Sequence, residues 1–105
     1  MSTREIAGKT VQLNDEGFMT NPNEWSQDIA TVIAHEEGID AMTPAHWKVI
    51  DYCRQDGLSS GKAPTIRRIT TQTGISTKEM FALFPKGPAK KVAKIAGLGK
   101  PEGCV

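Results

Sequence analysis

The two cysteines are the residues best suited to chemistry in this chain of 105 residues. Cys104 lies in a tail, residues 97–105, that contains three glycines and one proline. Such a composition is typical of neither a helix nor a central strand, so we predict an exposed thiol. An exposed thiolate can take a sulfur atom from a persulfide and pass it to another thiol. Cys104 is therefore the candidate sulfur acceptor and donor, although its position alone leaves open a terminal cysteine without a role.

Cys53 and the two histidines point to packing rather than chemistry. Cys53 follows Val49 and Ile50 at helical spacing, and free cysteine is among the most buried residue types. His35 and His46 fall in polar or helix-capping contexts, where surface or packing roles are expected. The sequence has no short C-x-x-C or H-x-x-x-H spacing, so we predict no bound metal and no other cofactor.

The composition indicates an ordinary globular domain, with 38% hydrophobic and 24% charged residues. No apolar run approaches the roughly 20 residues that cross a bilayer. The first nine residues lack the apolar core of a signal peptide. These features predict a cytoplasmic protein that does not contact a membrane.

Charge is distributed unevenly along the chain. Residues 1–57 hold four basic and ten acidic side chains, whereas residues 58–105 hold nine basic and two acidic ones. The basic half predicts contact with an acidic protein surface or a nucleic acid, and the alternative is that the two halves attract each other in the fold. The predicted partner-binding residues are Arg67, Lys86, Lys90, Lys91 and Lys94, with Lys100 and Pro101 shaping the approach of the tail.

Turn and capping signals predict a mainly α fold. Alternation over Thr10–Leu13 and turn residues at 14–17 predict a β-hairpin or a short extended lead-in within residues 5–18. Gly8 is the candidate turn before the second strand. Helix starts and glycine stops then predict five helices, over residues 21–38, 43–57, 65–73, 76–84 and 88–96. The first of these carries Trp25 on its core face, and a loop over residues 58–62 follows the second.

The predicted architecture is a small helical bundle of about five helices with an N-terminal β-hairpin and a flexible C-terminal arm. We divide the chain into a helical domain over residues 1–96 and an arm over residues 97–105 that bears the cysteine. The two helices within residues 65–84 also have the outline of a helix-turn-helix. The second of them offers Lys78 and little else to read bases, so nucleic-acid binding is the less favoured alternative.

Several segments carry a family resemblance that covers nearly the whole chain. They are Asp15-Glu-Gly-Phe-Met-Thr-Asn-Pro-Asn-Glu-Trp25, Met42-Thr-Pro-Ala-His-Trp47, Pro64-Thr-Ile-Arg67, Leu83-Phe-Pro-Lys-Gly-Pro-Ala-Lys90, Lys94-Ile-Ala-Gly-Leu98 and Lys100-Pro-Glu-Gly-Cys-Val105. The chain resembles the DsrC/TusE family of sulfur-relay proteins. That family includes the gamma component associated with dissimilatory sulfite reductase and the TusE sulfur carrier of tRNA thiolation.

The resemblance implies a cytoplasmic protein in which Cys104 receives and hands on sulfur. Its implied partners are a TusBCD/DsrEFH-like complex, sulfite reductase or a tRNA thiouridylase. The DsrC members carry a second arm cysteine eleven positions earlier, where this chain has Ala93. This difference favours a single-cysteine relay like TusE. The alternative within the family is a subunit or regulator that docks its arm into sulfite reductase without turning over sulfur.

Overall fold

The computed structural model describes residues 2–61 and 63–99. Two strands form the N-terminal hairpin: β1 (Ser2–Ile6) and β2 (Lys9–Leu13). A 3-10 turn (Pro22–Glu24) precedes five helices: α1 (Gln27–Glu36), α2 (Pro44–Ser60), α3 (Ile66–Thr73), α4 (Thr77–Leu83) and α5 (Pro88–Ile95). The predicted fold, a mainly α bundle of five helices with an N-terminal β-hairpin, is confirmed.

The hairpin begins earlier than the predicted residues 5–18, and its turn includes Gly8, as predicted. The strands pair antiparallel, with Ser2 opposite Leu13. Ala7 and Gly8 connect them, and both have positive φ angles, of 51° and 80°. Two consecutive residues with positive φ match the right-handed twist of the strands, which is why a two-residue turn is sufficient.

The predicted turn at residues 14–17 follows the hairpin instead of closing it. The side chain of Asn14 accepts hydrogen bonds from the backbone N–H groups of Glu16 and Phe18. The chain therefore doubles back, and Met19 forms a bridge with Leu13. The structure confirms a turn at residues 14–17, but local signals do not say which two segments a turn joins.

The first predicted helix is two elements separated by Trp25. Asn21 caps the 3-10 turn, and Trp25 then adopts an extended conformation. The helix α1 starts afresh where the Ser26 hydroxyl accepts a hydrogen bond from the N–H of Ile29. The placement of Trp25 on a helix face was wrong, because a second capping residue lies directly after it.

The helix α2 runs to Ser60, three residues past the predicted stop at Gly57, so the predicted loop over residues 58–62 was wrong in its first half. Gly57 lies inside the helix, where glycine costs about 1 kcal/mol relative to alanine. A β-carbon at this position would lie 2.8 Å from Cδ1 of Leu98. The missing side chain makes room for Leu98, and Gly61 ends the helix.

His46 joins the start of α2 to the end of α4 and confirms the packing role predicted for it. Its Nδ1 accepts a hydrogen bond from the N–H of Thr43 at 3.0 Å, so the ring proton is on Nε2. That Nε2–H donates to the carbonyl of Leu83 at 2.9 Å. The ring also meets the buried Phe84 edge to face, with centroids 5.2 Å apart.

Candidate functional site

Three of the predicted site residues, Cys104, Lys100 and Pro101, lie outside the described residues. The structure does show how the chain leaves the helical body toward them. The helix α5 packs against α1, α2 and α4. Ala93, the position at which the resemblance implies a second arm cysteine in other members, is 1% exposed within this packing.

The C-terminus of α5 is closed by two hydrogen bonds of the backbone. The N–H of Leu98 donates to the carbonyl of Ala93 at 2.9 Å, and the N–H of Gly97 donates to that of Lys94 at 3.2 Å. This pair is the Schellman motif, which needs a residue with positive φ. Gly97 supplies it with a φ of 71°.

Two side chains from distant segments donate hydrogen bonds to the next two carbonyls at the end of α5. The indole Nε1–H of Trp25 donates to the carbonyl of Ile95 at 2.7 Å. The guanidinium of Arg54 donates to the carbonyl of Ala96 at 2.7 Å and to that of Pro22 at 3.2 Å. The same guanidinium lies 4.1 Å from the centroid of the Trp25 ring, so the two side chains support each other.

We call residues 96–98 the arm root. Its side chains are buried against the body: Leu98 is 6% exposed beside Gly57, and a β-carbon on Gly97 would lie 2.7 Å from the Trp25 ring. Arg54 is a contributor that the sequence analysis did not predict. One signal for it was available, because Arg54 follows Ile50 by four residues and so places a charge on the core face of α2.

Four of the predicted partner-binding lysines meet at one cavity of about 260 Å³, which we call the lysine groove. Its lining residues are Glu16, Phe18, Glu37, Lys86, Gly87, Lys90, Lys91 and Lys94. Arg67 is exposed on α3 and does not line the groove. The loop before α5 and the first two turns of that helix therefore bring the lysines together, next to the acidic end of α1.

The four lysines are not equivalent. The ammonium of Lys91 donates to the backbone carbonyl of Glu37 at 2.5 Å. The ammonium of Lys94 lies 3.7 Å from the Glu37 carboxylate and 5.6 Å from the centroid of the Phe18 ring. Lys86 and Lys90 are exposed. Lys91 and Lys94 thus join the basic C-terminal half of the chain to the acidic N-terminal half. Lys86 and Lys90 present their charges to solvent.

Cys53 is fully buried and forms no disulfide. Burial raises the pKa of its thiol far above the ordinary value, and the nearby Asp56 adds to the effect. A buried thiol that stays protonated is a poor nucleophile, which confirms the predicted core role.

The corner between α3 and α4, which has the outline of a helix-turn-helix, offers few basic side chains for binding a nucleic acid. Arg68 is paired with Asp56, with its Nε at 2.9 Å and its Nη2 at 2.7 Å from one carboxylate oxygen. The helix α4 has only seven residues, of which Phe81 is 44% exposed. In the two described stretches, no group of three His, Cys, Asp or Glu side chains is placed to hold a metal. Nor does any helix there have the length and apolarity to cross a membrane.

Together these features define a small helical protein whose last helix ends in a fixed root and continues into a tail bearing Cys104. The family model described as "DsrC like protein" matches residues 5–105. The chain belongs to this DsrC-like family, and the resemblance read from its sequence is confirmed.

Named relatives agree with this assignment. The chain is 37% identical over 98 residues to the dissimilatory-type sulfite reductase subunit gamma of Nitratidesulfovibrio vulgaris, covering 93% of each chain. It is also 37% identical over 105 residues to the sulfurtransferase TusE of Escherichia coli, covering 93% of this chain and 95% of that one. The solution structure of the Pyrobaculum aerophilum DsrC/gamma subunit superposes with a TM-score of 0.83 at 41% identity, covering 99% of this chain and 95% of that one. The family therefore has roles in sulfur transfer and in association with sulfite reductase.

Proposed function

We propose that the chain is a cytoplasmic sulfur carrier in which Cys104 accepts persulfide sulfur and passes it on. The observation that carries the proposal is the full burial of Cys53, the other of the two cysteines. The thiol in the tail beyond the arm root is then the one left for exchange. A relative named as a sulfurtransferase, aligned over 93% of this chain, supports the same chemistry.

The proposed transfer needs no oxidant or reductant. The Cys104 thiolate attacks the outer sulfur of a donor persulfide, and the S–S bond of the donor breaks. The donor leaves as a thiolate, and Cys104 carries the new persulfide. In the second step an acceptor thiolate attacks the outer sulfur of that persulfide, and Cys104 leaves as a thiolate again.

Ala93 favours a single-cysteine relay. A second arm cysteine at this position would allow a disulfide or a bridging polysulfide with Cys104, and alanine allows neither. The second candidate function is a subunit that docks into sulfite reductase without sulfur turnover. The relative named as a sulfite reductase gamma subunit favours it. This candidate predicts binding to the reductase that survives Cys104→Ser.

The test is intact-mass spectrometry after incubation with cysteine persulfide. We expect the wild-type chain and Cys53→Ser to gain one sulfur atom and to lose it on treatment with a reductant. Cys104→Ser should gain none, because a serine hydroxyl cannot form a persulfide.

Two outcomes would contradict the carrier function. One is a wild-type chain that stays at its original mass while a control thiol protein in the same tube is loaded. The other is sulfur retained by Cys104→Ser and lost from Cys53→Ser, which would move the chemistry to the core cysteine.

We further propose that the lysine groove docks the sulfur donor or acceptor through an acidic surface. The candidate partners are a TusBCD/DsrEFH-like complex, sulfite reductase or a tRNA thiouridylase. The support is the charge of the groove and its place on α5, the helix that leads to the arm. Lys86 and Lys90 are its exposed charges, and Lys100 and Pro101 stay predicted contributors within the arm.

The double charge reversal Lys86→Glu/Lys90→Glu should slow sulfur transfer from a TusBCD-type complex roughly tenfold at low salt, because electrostatic steering sets such association rates. Transfer from cysteine persulfide should not change. Lys48→Glu, an exposed lysine on α2 outside the groove, is the matched control. Equal rates for the double variant and this control, at every salt concentration, would remove the groove from the docking surface.

A further inference from the structure

We propose that Trp25 and Arg54 are positioning residues that fix the direction in which the arm leaves the body, an inference that rests on the proposed carrier function of Cys104. Neither residue touches the reacting sulfur. Each acts on the arm root through the carbonyl that it binds.

The end of α5, like that of any α-helix, has backbone carbonyls that need partners. The last four carbonyls of an α-helix have no partner within the helix. At α5 all four are satisfied: those of Ala93 and Lys94 by the backbone, that of Ile95 by Trp25 and that of Ala96 by Arg54. The backbone alone would leave two of them to water.

Arg54 makes more contacts than capping the helix α5 would require. Arg54 also binds the carbonyl of Pro22, and its guanidinium stacks on the Trp25 ring. Three segments distant in sequence, namely the 3-10 turn, α2 and the end of α5, are thereby held to one another. A charged group that donates to two carbonyls in a partly buried place holds a backbone direction more firmly than a neutral side chain would.

The fixed root limits where sulfur can be delivered. Leu98 is buried beside Gly57, so the body holds the chain at least as far as residue 98. Cys104 lies six residues beyond Leu98, and six fully extended residues span about 20 Å. A partner must therefore bring its own sulfur within that distance of the root, on the side toward which Trp25 and Arg54 direct the chain.

The test measures local opening of the root separately from global unfolding. We would record amide hydrogen exchange of Gly97 and Leu98, which close the helix end, and of Cys53, which reports the core of α2. In Arg54→Gln and in Trp25→Phe the amides of Gly97 and Leu98 should exchange about tenfold faster or more, because a lost hydrogen bond of this kind changes a local equilibrium by that order. Exchange at Cys53 should change far less.

A second readout follows the direction of the arm. A nitroxide attached to Gly99→Cys in a Cys104→Ser background should give a restricted spectrum with Trp25 and Arg54 in place, and a more mobile one in either variant. Arg54→Lys should restore part of the restriction, because an ammonium can reach one carbonyl but cannot stack as a guanidinium does. Lys48→Gln, which removes an exposed charge from the same helix, should match the wild type.

The inference is overturned if folded Arg54→Gln and Trp25→Phe keep wild-type exchange at Gly97 and Leu98 together with a restricted nitroxide. Trp25→Phe keeps an aromatic ring under the Arg54 guanidinium, so this variant alone can test the inference if Arg54→Gln does not fold. In proteins that keep Cys104 and Gly99, loading of Cys104 by cysteine persulfide should be equal in the wild type, Arg54→Gln, Arg54→Lys and Trp25→Phe. A failure of loading in the wild type would refute the carrier function and leave the measurements on the root valid.

Discussion

Iodoacetamide applied to the native protein should alkylate Cys104 and leave Cys53 unmodified. Cys53 has no exposed surface, and burial raises the pKa of its thiol, so neither access nor thiolate is available. It should react only when the core opens, and a domain of this size is stable by about 5 kcal/mol or more. The expected protection of Cys53 is therefore at least about a thousandfold relative to a free thiol.

The control variants separate the two sites. Cys104→Ser should take no label in buffer and one label in guanidinium chloride, whereas the wild type should take one and then two. Raising the pH from about 7 toward 9 should speed labelling of Cys104, since an unperturbed thiol ionises near pH 8.5, and should leave Cys53 protected. Labelling of Cys53 within minutes in buffer would contradict both the buried core and the assignment of Cys104 as the exchanging thiol.

Gly97→Ala should lower the free energy of unfolding by about 2–4 kcal/mol, the largest effect expected of any single methyl group added at the arm root. Two costs combine there. The φ of 71° disfavours any residue with a β-carbon, and that carbon would lie 2.7 Å from the Trp25 ring and 3.1 Å from the sulfur of Met19. Urea denaturation followed by circular dichroism measures the change.

Substitutions at two other glycines separate the cost of the positive φ from the cost of the steric contact. Gly74 has a φ of 77° but open space around it, so Gly74→Ala should cost only about 1–2 kcal/mol. Gly99 has open space around it and lies outside the positive-φ range, so Gly99→Ala should stay within about 0.5 kcal/mol of the wild type. If Gly97→Ala lowers the free energy of unfolding no more than Gly74→Ala does, Trp25 does not pack against the arm root.

Much of the fold was predictable because its signals are local. Thr65 and Ser76 cap α3 and α4 through hydrogen bonds to residues three positions on, so a short stretch of sequence contains both partners. The stop at Gly74 is of the same kind. The burial of Cys53 also followed from helical spacing, because the apolar face of α2 can be read from the residues around it.

The wrong predictions concern residues whose local sequence is compatible with two different structures. Gly57 looks like a helix stop, yet α2 continues because Leu98, forty-one residues later, fills the space above it. Trp25 has helical spacing from the residues after it, yet Ser26 starts a new helix and leaves the indole free to reach Ile95. No window of sequence around either residue contains its partner.

For the candidate site, the sequence by itself determined the chemistry, and the tertiary structure decided how the chain is held for it. A cysteine in a glycine- and proline-rich tail and a set of lysines near α5 are properties of residue types and order. Which lysines bind Glu37, which face outward, and how Arg54 and Trp25 hold the end of α5 depend on contacts between segments far apart in the chain. Such contacts form only when burial of the core brings those segments together, because hydrogen bonds of this kind gain little until water has been removed from around them.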